Sequence, residues 1–354
     1  MTSCPELAEV PYNIDLELAV RAVKKRKARR VVLQLPDGLK PYGWRIVKCL
    51  ESALPEGVEV YLHLDSTFGA CDLHYGQLEV TLKPDIIVHV GHSPYPAELA
   101  HPALEPRAAS IVYVPALSKA GVSRKAVAKA AGLLMGHGVS RVGIVTTAQH
   151  VHAVKSVASA LRVLGLEPLV PRGLTPYLTD SQVLGCDYRL PRSISSRVEG
   201  FLYLGGGVFH PLGLYLSTFK PVVRLDPYKD DSDDLTGEGE KLYKVRLSKV
   251  AEAMDARRWG IIVGLKTGQY RPWLIERLVK AIKGAGREYM LLANEYTSLA
   301  AIISVDTGWF DAFVVTSCPR LPTDDLWEYE KPVLTPGEAF MALSGKLEPY
   351  RFPW

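Results

Sequence analysis

The chain has 354 residues, of which 47% are hydrophobic and 23% charged, and its formal net charge is +4. This length predicts two or three domains, and the composition is typical of a soluble globular protein. Nothing approaches the roughly 18 uncharged apolar residues of a membrane span, and the acidic N-terminus lacks the apolar core of a signal peptide. The mild charge does not indicate nucleic-acid binding, which needs cations on one face. We therefore expect a cytoplasmic protein that contacts neither membrane nor nucleic acid.

Three segments of the chain begin alike, each with a predicted helix and then a short β-branched strand that ends in turn residues. The helices are predicted over Ile14–Lys27, Arg124–Gly136 and Val245–Arg257, and the strands begin at Val31, Val142 and Ile261. Amphipathic helices follow, most clearly over Ala153–Leu164 and Trp273–Lys283. A second strand is predicted at Val58–Leu64, Glu167–Val170 and Glu288–Leu292.

The repeat continues through two further strands in every copy. The third is predicted at Ile86–Val90, Phe201–Leu204 and Phe313–Val315, and the fourth at Ile111–Val114, Val222–Leu225 and Val333–Leu334. Strands separated by helical crossovers form parallel sheets with helices on both faces. We therefore predict an α/β fold of three similar parallel-sheet domains, in pseudo-threefold arrangement, over residues 1–120, 121–235 and 236–354. Because ligands bind outside the carboxyl ends of such strands, the three edges could share one central cavity.

Two charged runs are interpreted as solvated segments. The acidic stretch Asp226–Glu240 lies between copies two and three and lacks the regular spacing of a calcium loop. It is predicted to be a linker. The basic run Lys24–Arg30 closes the first helix, where cations complement the helix dipole.

Five cysteines occur, at wide spacing and without a C-x-x-C pair. A secreted disulfide framework would be denser and even-numbered, so reduced thiols are expected. Cys71 and Cys186 each follow the second strand of their copy, and each precedes the third strand by 15 residues. Cys318 instead follows the third strand of copy three. All three are thus predicted at carboxyl ends of strands.

Three thiolates from three domains suit a 4Fe-4S cluster that keeps one iron free for a substrate. Zinc is the alternative, although structural zinc sites usually contain close ligand pairs such as C-x₂-C. Cys49 is interpreted as a buried small hydrophobic residue, and Cys4 as part of a mobile tail. A lone histidine such as His63 or His137 is interpreted as a packing or surface residue.

Other turn residues are predicted at the same strand ends. Asp37 and Gly38 follow the first strand of copy one, and Gln269 follows the first strand of copy three. Gly205, Gly206 and Gly207 follow the third strand of copy two. Glycine runs let backbone N–H groups approach a carboxylate or phosphate closely. The alternative is that these residues only form turns.

The motifs together resemble the diphthamide synthase family whose archaeal members are called Dph2. The resemblance spans about Val31 to Pro336, and its specific segments include Leu35–Gly38, Asp65–Asp72, Gly91–Ser93, Gly205–Gly213, Asp226–Tyr228 and Thr316–Arg320. It implies a homodimeric transferase that moves the 3-amino-3-carboxypropyl group of S-adenosylmethionine to a histidine of elongation factor 2. Such enzymes use noncanonical 4Fe-4S radical chemistry in the first step of diphthamide biosynthesis.

The resemblance also assigns roles to particular residues. It implies that Cys71, Cys186 and Cys318 hold three irons, so that catalysis acts through the cluster, and that S-adenosylmethionine approaches the fourth iron. We expect the Asp37–Gly38 turn and the Gly205–Gly207 turn to hold the amino-acid or nucleoside part of S-adenosylmethionine, with Gln269 as a further candidate. The electron donor is not identified. Two alternative functions stay open. One is a quinolinate-synthase-like dehydratase with a three-cysteine 4Fe-4S cluster, and the other is a non-catalytic scaffold or partner subunit.

Overall fold

Three parallel sheets, each built from its own part of the chain, organise the molecule. The computed structural model describes residues 4–95 and 110–354. Each sheet is formed by buried β-branched runs of the kind that mark parallel strands covered on both faces. Val31, Val32 and Leu33 in the first sheet, for example, have no exposed surface. Each such side chain contributes about 1.5–3 kcal/mol by leaving water.

The first sheet has four parallel strands in the order β3-β2-β4-β5. Its unit comprises β1 (Tyr12–Ile14), α1 (Glu17–Arg26), β2 (Arg30–Gln34), α2 (Gly43–Ala53), β3 (Glu59–Leu62), α3 (Tyr75–Val80), β4 (Ile86–Val90), β5 (Ser110–Val114) and β6 (Ala116–Ser118). β1 and β6 form a separate antiparallel pair. The two short strands bring the beginning and the end of the unit together.

The second sheet has the order β11-β10-β9-β7-β8. Its unit comprises α4 (Arg124–Gly136), β7 (Arg141–Thr146), α5 (Val154–Val163), β8 (Glu167–Leu169), α6 (Arg189–Ile194), β9 (Gly200–Leu204), α7 (Phe209–Thr218), β10 (Val222–Asp226) and β11 (Asp231–Asp234). Four of its strands are parallel, and β11 is added antiparallel to β10.

The third sheet has the order β13-β12-β14-β15, with all four strands parallel. Its unit comprises α8 (Thr236–Ala253), β12 (Arg258–Gly264), α9 (Pro272–Gly284), β13 (Glu288–Asn294), α10 (Leu299–Val305), β14 (Ala312–Val315), β15 (Val333–Leu334) and α11 (Pro336–Leu343). A capping box at Thr335 and Glu338 begins α11.

The three sheets share one strand order when the parallel strands of each sheet are counted along the chain. In each sheet the first parallel strand (β2, β7 or β12) lies between the second and the third, and the fourth lies beside the third. This is the doubly wound arrangement in which ligands bind at the carboxyl ends of the central strands. The prediction of three similar parallel-sheet α/β domains is confirmed. The boundaries at residues 120 and 235 remain predictions.

Two predicted helices differ from the observed ones in where they begin. The first was predicted from Ile14, but Tyr12–Ile14 is strand β1 and the helix α1 begins at Glu17. The helix predicted from Val245 begins at Thr236 and has 18 residues. Its first turns pack on α7, where a side chain in place of Gly239 would come within 2.4 Å of the Tyr215 ring. Tertiary packing therefore extends a helix whose sequence begins with glycines.

The linker prediction for Asp226–Glu240 is wrong. Asp231–Asp234 forms strand β11, and its carboxylates have partners on or next to α4. Lys129 Nζ lies 2.8 Å from Asp231 Oδ1, and His137 Nε2 lies 2.6 Å from Asp234 Oδ2. Because these partners lie about a hundred residues away in sequence, the acidic run considered alone predicts a solvated segment.

Cys4 and Cys49 form a disulfide with a Cα–Cα separation of 5.8 Å, within the usual range. The expectation that Cys4 lies in a mobile tail, and that Cys49 is only a small packing residue, is therefore wrong. The short 3₁₀ helix Pro5–Glu9 that follows Cys4 packs on α2, which carries Cys49. Within residues 4–95 and 110–354, no helix has the length and apolar character needed to cross a membrane.

Candidate functional site

The three remaining cysteines lie in loops at the carboxyl ends of the three sheets. Cys71 is in the loop between β3 and α3, and Cys186 is in the loop between β8 and α6. Cys318 follows β14 directly. All three are free, half-buried thiols. The structure thus supports the predicted placement of each cysteine at a strand's carboxyl end, and contacts between the loops show how they meet.

Units one and three meet at Cys71. The backbone N–H of Gly268 donates to the carbonyl of Cys71 at 2.9 Å. A Cβ at position 268 would lie 2.6 Å from Cys71 Cα and Cβ, so only glycine fits there. The next residue, Gln269, places its Nε2 3.6 Å from Cys71 Sγ. Gln269 is therefore a donor to the sulfur, a contact that stabilises a thiolate.

Units one and two meet at Cys186. The hydroxyl of Tyr95, in the loop after β4, lies 3.8 Å from Cys186 Sγ. Two residues earlier in that loop, Ser93 exchanges hydrogen bonds with Gln182 at 2.8 and 3.1 Å. Unit three also reaches this cysteine, because the indole N–H of Trp354 donates to the Cys186 carbonyl at 3.0 Å.

Arg271 links the segment before Cys318 to Tyr95 of unit one. Its guanidinium is buried and donates to the carbonyls of Thr316 at 2.9 Å and Ser317 at 2.7 Å, which directly precede Cys318. It also donates to the Tyr95 hydroxyl at 2.8 Å and stacks 4.3 Å from the centre of the Trp354 ring. Arginine suits this role, because its planar fork binds several acceptors and stacks on aromatic rings.

The thiols are electrostatically coupled to one another. Burial raises the pKa of Cys186 to about 11 and that of Cys318 to about 12, and it also raises the pKa of Cys71. The neighbouring sulfurs raise the pKa of Cys318 further, whereas the Arg271 cation lowers the pKa of all three thiols. The thiols are therefore neutral at pH 7 until a metal displaces their protons.

The donor set fits a cluster better than a single ion. One zinc ion with bonds of about 2.3 Å would draw its sulfurs to roughly 3.8 Å from one another. Among the described residues, the sets of three or more possible ligand atoms within 4.8 Å of one another do not include this trio. Three separated cysteine sulfurs facing one buried cation are what a larger iron–sulfur group needs.

Asp37 and Gly38 lie in the loop that follows β2, and Asp37 contacts Ser66 and Thr67 of the loop that carries Cys71. Asp37 opens a 3₁₀ helix and pairs with Lys40 at 2.6 Å. That pair and hydrogen bonds from Ser66 and Thr67 lower the pKa of the Asp37 carboxyl. The space beside the Gly38 Cα is open. The structure places this turn near the Cys71 loop, and its predicted role in binding stays a prediction.

Gly205, Gly206 and Gly207 lie at the carboxyl end of β9. Gly205 and Gly207 have φ values of +150° and +75°, which side chains rarely adopt. A Cβ at Gly206 would lie 2.9 Å from the Tyr228 ring. The turn leads to Phe209, whose ring packs on Gly185, the residue before Cys186. Of the three glycines, Gly207 has open space beside its Cα, and the binding role of the turn stays a prediction.

The family model for diphthamide synthesis proteins matches residues 35–351. The chain belongs to this family. A 2-(3-amino-3-carboxypropyl)histidine synthase from Pyrococcus horikoshii is 34% identical over 341 residues, which cover 96% of this chain and 93% of that relative. The crystal structure of Dph2 from Pyrococcus horikoshii matches with a TM-score of 0.82 at 32% identity, covering 97% of this chain and 94% of that chain.

A second crystal structure of the Pyrococcus horikoshii Dph2, determined with a 4Fe-4S cluster, matches with a TM-score of 0.77. It is 31% identical and covers 97% of this chain and 92% of that chain. The diphthamide synthesis family recognised in the sequence is thereby confirmed, and so is the expectation of an enzyme.

Sequence reasoning missed several residues of this diphthamide synthesis protein. Arg271 and Tyr95 are not indicated by the sequence, because the carbonyls before Cys318 that bind Arg271, and the side chains that contact Tyr95, are distant in sequence. The buried pair of Asp72 and Lys266, 2.5 Å apart, was also missed. Lys266 sits between the rings of Phe68 and Tyr296, at 4.7 and 4.1 Å from their centres. A sequence pattern that could have indicated these residues is the short segment after β12, which contains Lys266, Gln269 and Arg271.

A hydrogen-bonded relay sets the tautomer of His92, in the family motif after β4. Gln34 Nε2 donates to the Leu73 carbonyl, so its Oε1 must accept from His89 Nδ1. Burial lowers the pKa of His89 and lowers that of His92 to about 4, so both are neutral at pH 7. His89 Nε2 then accepts from His92 Nδ1 at 3.0 Å. His92 Nε2 is left as a bare acceptor in the loop that leads to Tyr95.

Proposed function

We propose that this chain is a 2-(3-amino-3-carboxypropyl)histidine synthase. It transfers the 3-amino-3-carboxypropyl group of S-adenosylmethionine to a histidine of elongation factor 2, in the first step of diphthamide biosynthesis. The observation that carries the proposal is the meeting of three free, half-buried thiols from three units around Arg271, in a member of the diphthamide synthesis family. The name of the Pyrococcus horikoshii relative supports the same activity.

Cys71, Cys186 and Cys318 would hold a 4Fe-4S cluster. When bound, the cluster supplies one electron to the sulfonium bond on the aminocarboxypropyl side of S-adenosylmethionine. The crystal structure of a relative with a 4Fe-4S cluster supports this choice of cofactor. Three cysteines leave one iron without a protein ligand, which a purely electron-transferring protein would not need.

The chain's own residues supply binding, orientation and charge. Arg271 offsets the negative charge that three thiolates bring into a buried site. Gln269 Nε2 and the Tyr95 hydroxyl lie beside Cys71 Sγ and Cys186 Sγ. Hydrogen bonds of this kind set the reduction potential of an iron–sulfur centre.

Two glycine-containing turns are proposed to hold S-adenosylmethionine. The Asp37–Gly38 turn lies beside the loop of Cys71, and Asp37 can accept from an ammonium group. The Gly205–Gly207 turn lies at the carboxyl end of β9, and its last glycine is exposed. The orientation of S-adenosylmethionine at these turns would decide which of its carbon–sulfur bonds is cleaved. Holding a substrate in a reactive geometry can lower the activation barrier substantially.

The proposed partners are elongation factor 2 as protein substrate and a second copy of this chain as homodimer. The direct test uses the full chain, purified without oxygen and reduced with dithionite. S-adenosylmethionine labelled in its carboxyl group is supplied together with elongation factor 2 from the same organism. We expect label on the factor and stoichiometric release of methylthioadenosine.

The controls separate transfer from unspecific labelling. Elongation factor 2 with its acceptor histidine replaced should take no label, and neither should the normal factor incubated with Cys186→Ala enzyme. Absence of label with fully iron-loaded wild-type enzyme would contradict the proposal. Formation of quinolinate from iminoaspartate and dihydroxyacetone phosphate would establish the dehydratase alternative instead.

A further inference from the structure

We propose that His63, Asp65 and His74 form a second metal site, for a divalent transition-metal ion such as Zn²⁺. His63 and Asp65 directly follow β3, and His74 precedes α3. One possible ligand atom from each of the three lies within 4.8 Å of the other two. Two imidazoles and a carboxylate are the ligand set of many zinc sites. The inference goes beyond the proposed transferase function and uses none of its three cysteines.

Hydrogen bonds set the protonation of His74. Its Nε2 lies 3.1 Å from the Ser66 carbonyl oxygen, which can only accept, so Nε2 carries the proton. In the neutral ring the other nitrogen, Nδ1, keeps its lone pair. That nitrogen faces the Glu295 carboxylate, with Oε1 at 3.8 Å. A bare nitrogen that faces a carboxylate oxygen is a pair that a cation, either a proton or a metal ion, holds together.

At His63 it is the other ring nitrogen, Nε2, that faces a carboxylate. Its Nδ1 is buried without a hydrogen-bond partner among the described residues. Its Nε2 lies 3.6 Å from Asp65 Oδ2. Both this separation and the 3.8 Å at Glu295 exceed hydrogen-bonding distance. They are close to the roughly 3.4 Å expected between two ligand atoms on one tetrahedral ion with bonds of about 2.1 Å.

The surrounding charges suit a divalent cation. Asp72 Oδ1 lies 3.2 Å from His74 Nε2, so a second carboxylate adds negative charge beside this imidazole. The other oxygen of Asp72 pairs with Lys266 at 2.5 Å, so the charge of Asp72 is already compensated. The carboxylates of Asp65 and Glu295 remain to balance two positive charges.

The site combines rigid imidazoles with accessible carboxylates. The His74 side chain is 1% exposed, whereas that of Asp65 is 58% exposed, so an ion could enter from solvent. Lys40 Nζ donates to the backbone carbonyls of Leu64 and Asp65 at 2.7 and 2.8 Å and fixes this loop. His63, which the sequence indicated as a packing or surface residue, thus acquires a different role.

The test is calorimetric titration of Zn²⁺ into the full chain, purified without oxygen and carrying its iron. We expect one zinc ion per chain with a micromolar or tighter Kd. His63→Gln and Asp65→Asn each retain side-chain size and should weaken zinc binding at least tenfold. His74→Ala should abolish it. Iron per chain should stay unchanged in all three variants.

His137→Ala is the matched control, because His137 forms a histidine–carboxylate pair with Asp234 on unit two. It should bind zinc as the wild type does. Failure of the wild type to bind Zn²⁺ at 100 μM would overturn the inference, and so would equal binding by His63→Gln and wild type. Transfer of label to elongation factor 2 is measured on the same preparations. It tests the transferase proposal separately from zinc binding, so the two proposals can fail independently.

Discussion

The cysteines of this chain are disulfide-bonded in one region of the molecule and free in another. Cys4 and Cys49, at the outer side of the first unit, are joined to each other. Cys71, Cys186 and Cys318 stay free where the carboxyl ends of the three sheets meet. Both groups join distant parts of the sequence, so distance along the chain does not separate them. What differs is the surroundings. The free thiols lie near the Arg271 cation, in loops that backbone hydrogen bonds fix in place. Cys4 and Cys49 lie between two packed helices.

The largest effect is expected from removing the cation of the free-thiol region. Arg271→Met would leave several buried carbonyls without a donor, and each unsatisfied buried acceptor costs about 1–3 kcal/mol of unfolding free energy. It would also remove the charge that offsets three thiolates. We predict a lower urea midpoint and less iron per folded chain, measured by iron analysis after gel filtration.

Arg246→Met provides the matched control for that change. Arg246 is equally buried, but it pairs with Glu338 at 2.6 Å on α11 and donates to the carbonyls of Pro322 and Val333. None of these partners is a cysteine or directly precedes one. It should lose comparable stability and retain full iron in the folded fraction. If Arg271→Met also retained full iron, Arg271 would have only a structural role.

A smaller effect is expected from removing the disulfide. Cys4 and Cys49 are 45 residues apart in sequence, and closing such a loop stabilises the fold by about 2–4 kcal/mol. The Cys4→Ala, Cys49→Ala double variant should unfold at lower urea than the oxidised wild type, with unchanged iron. Equal midpoints would mean that the two cysteines are not joined in the native protein.

The smallest effect is expected from the donor beside Cys71. Gln269→Leu removes a hydrogen bond to sulfur, and a neutral hydrogen bond contributes about 0.5–1.5 kcal/mol. For a one-electron couple this corresponds to roughly 20–60 mV. We predict a more negative potential in Gln269→Leu, measured by redox titration with electron paramagnetic resonance. Gln77→Leu, on an exposed face of α3, should leave the potential unchanged, and no shift in Gln269→Leu would contradict a contact with the bound cluster.

The succession of strands along the chain could be predicted because each strand is a run such as Arg30–Gln34, whose apolar character does not depend on its neighbours. The placement of the three cysteines followed from that order. The disulfide, the strand β11 and the role of Arg271 could not be predicted. Each depends on partners brought close only by the fold: Cys49 for Cys4, Lys129 for Asp231, and the carbonyls before Cys318 for Arg271.

The central claim is that three cysteines, and not five, hold the cluster. Iron and acid-labile sulfide per chain, measured after anaerobic reconstitution of the five single Cys→Ala variants, test it directly. We predict wild-type iron in Cys4→Ala and Cys49→Ala, and a marked loss in Cys71→Ala, Cys186→Ala and Cys318→Ala. Cys318 is the most informative, since the internal repeat does not match it to the other two. Full iron and sulfide in Cys318→Ala, or in either other member of the trio, would contradict the account.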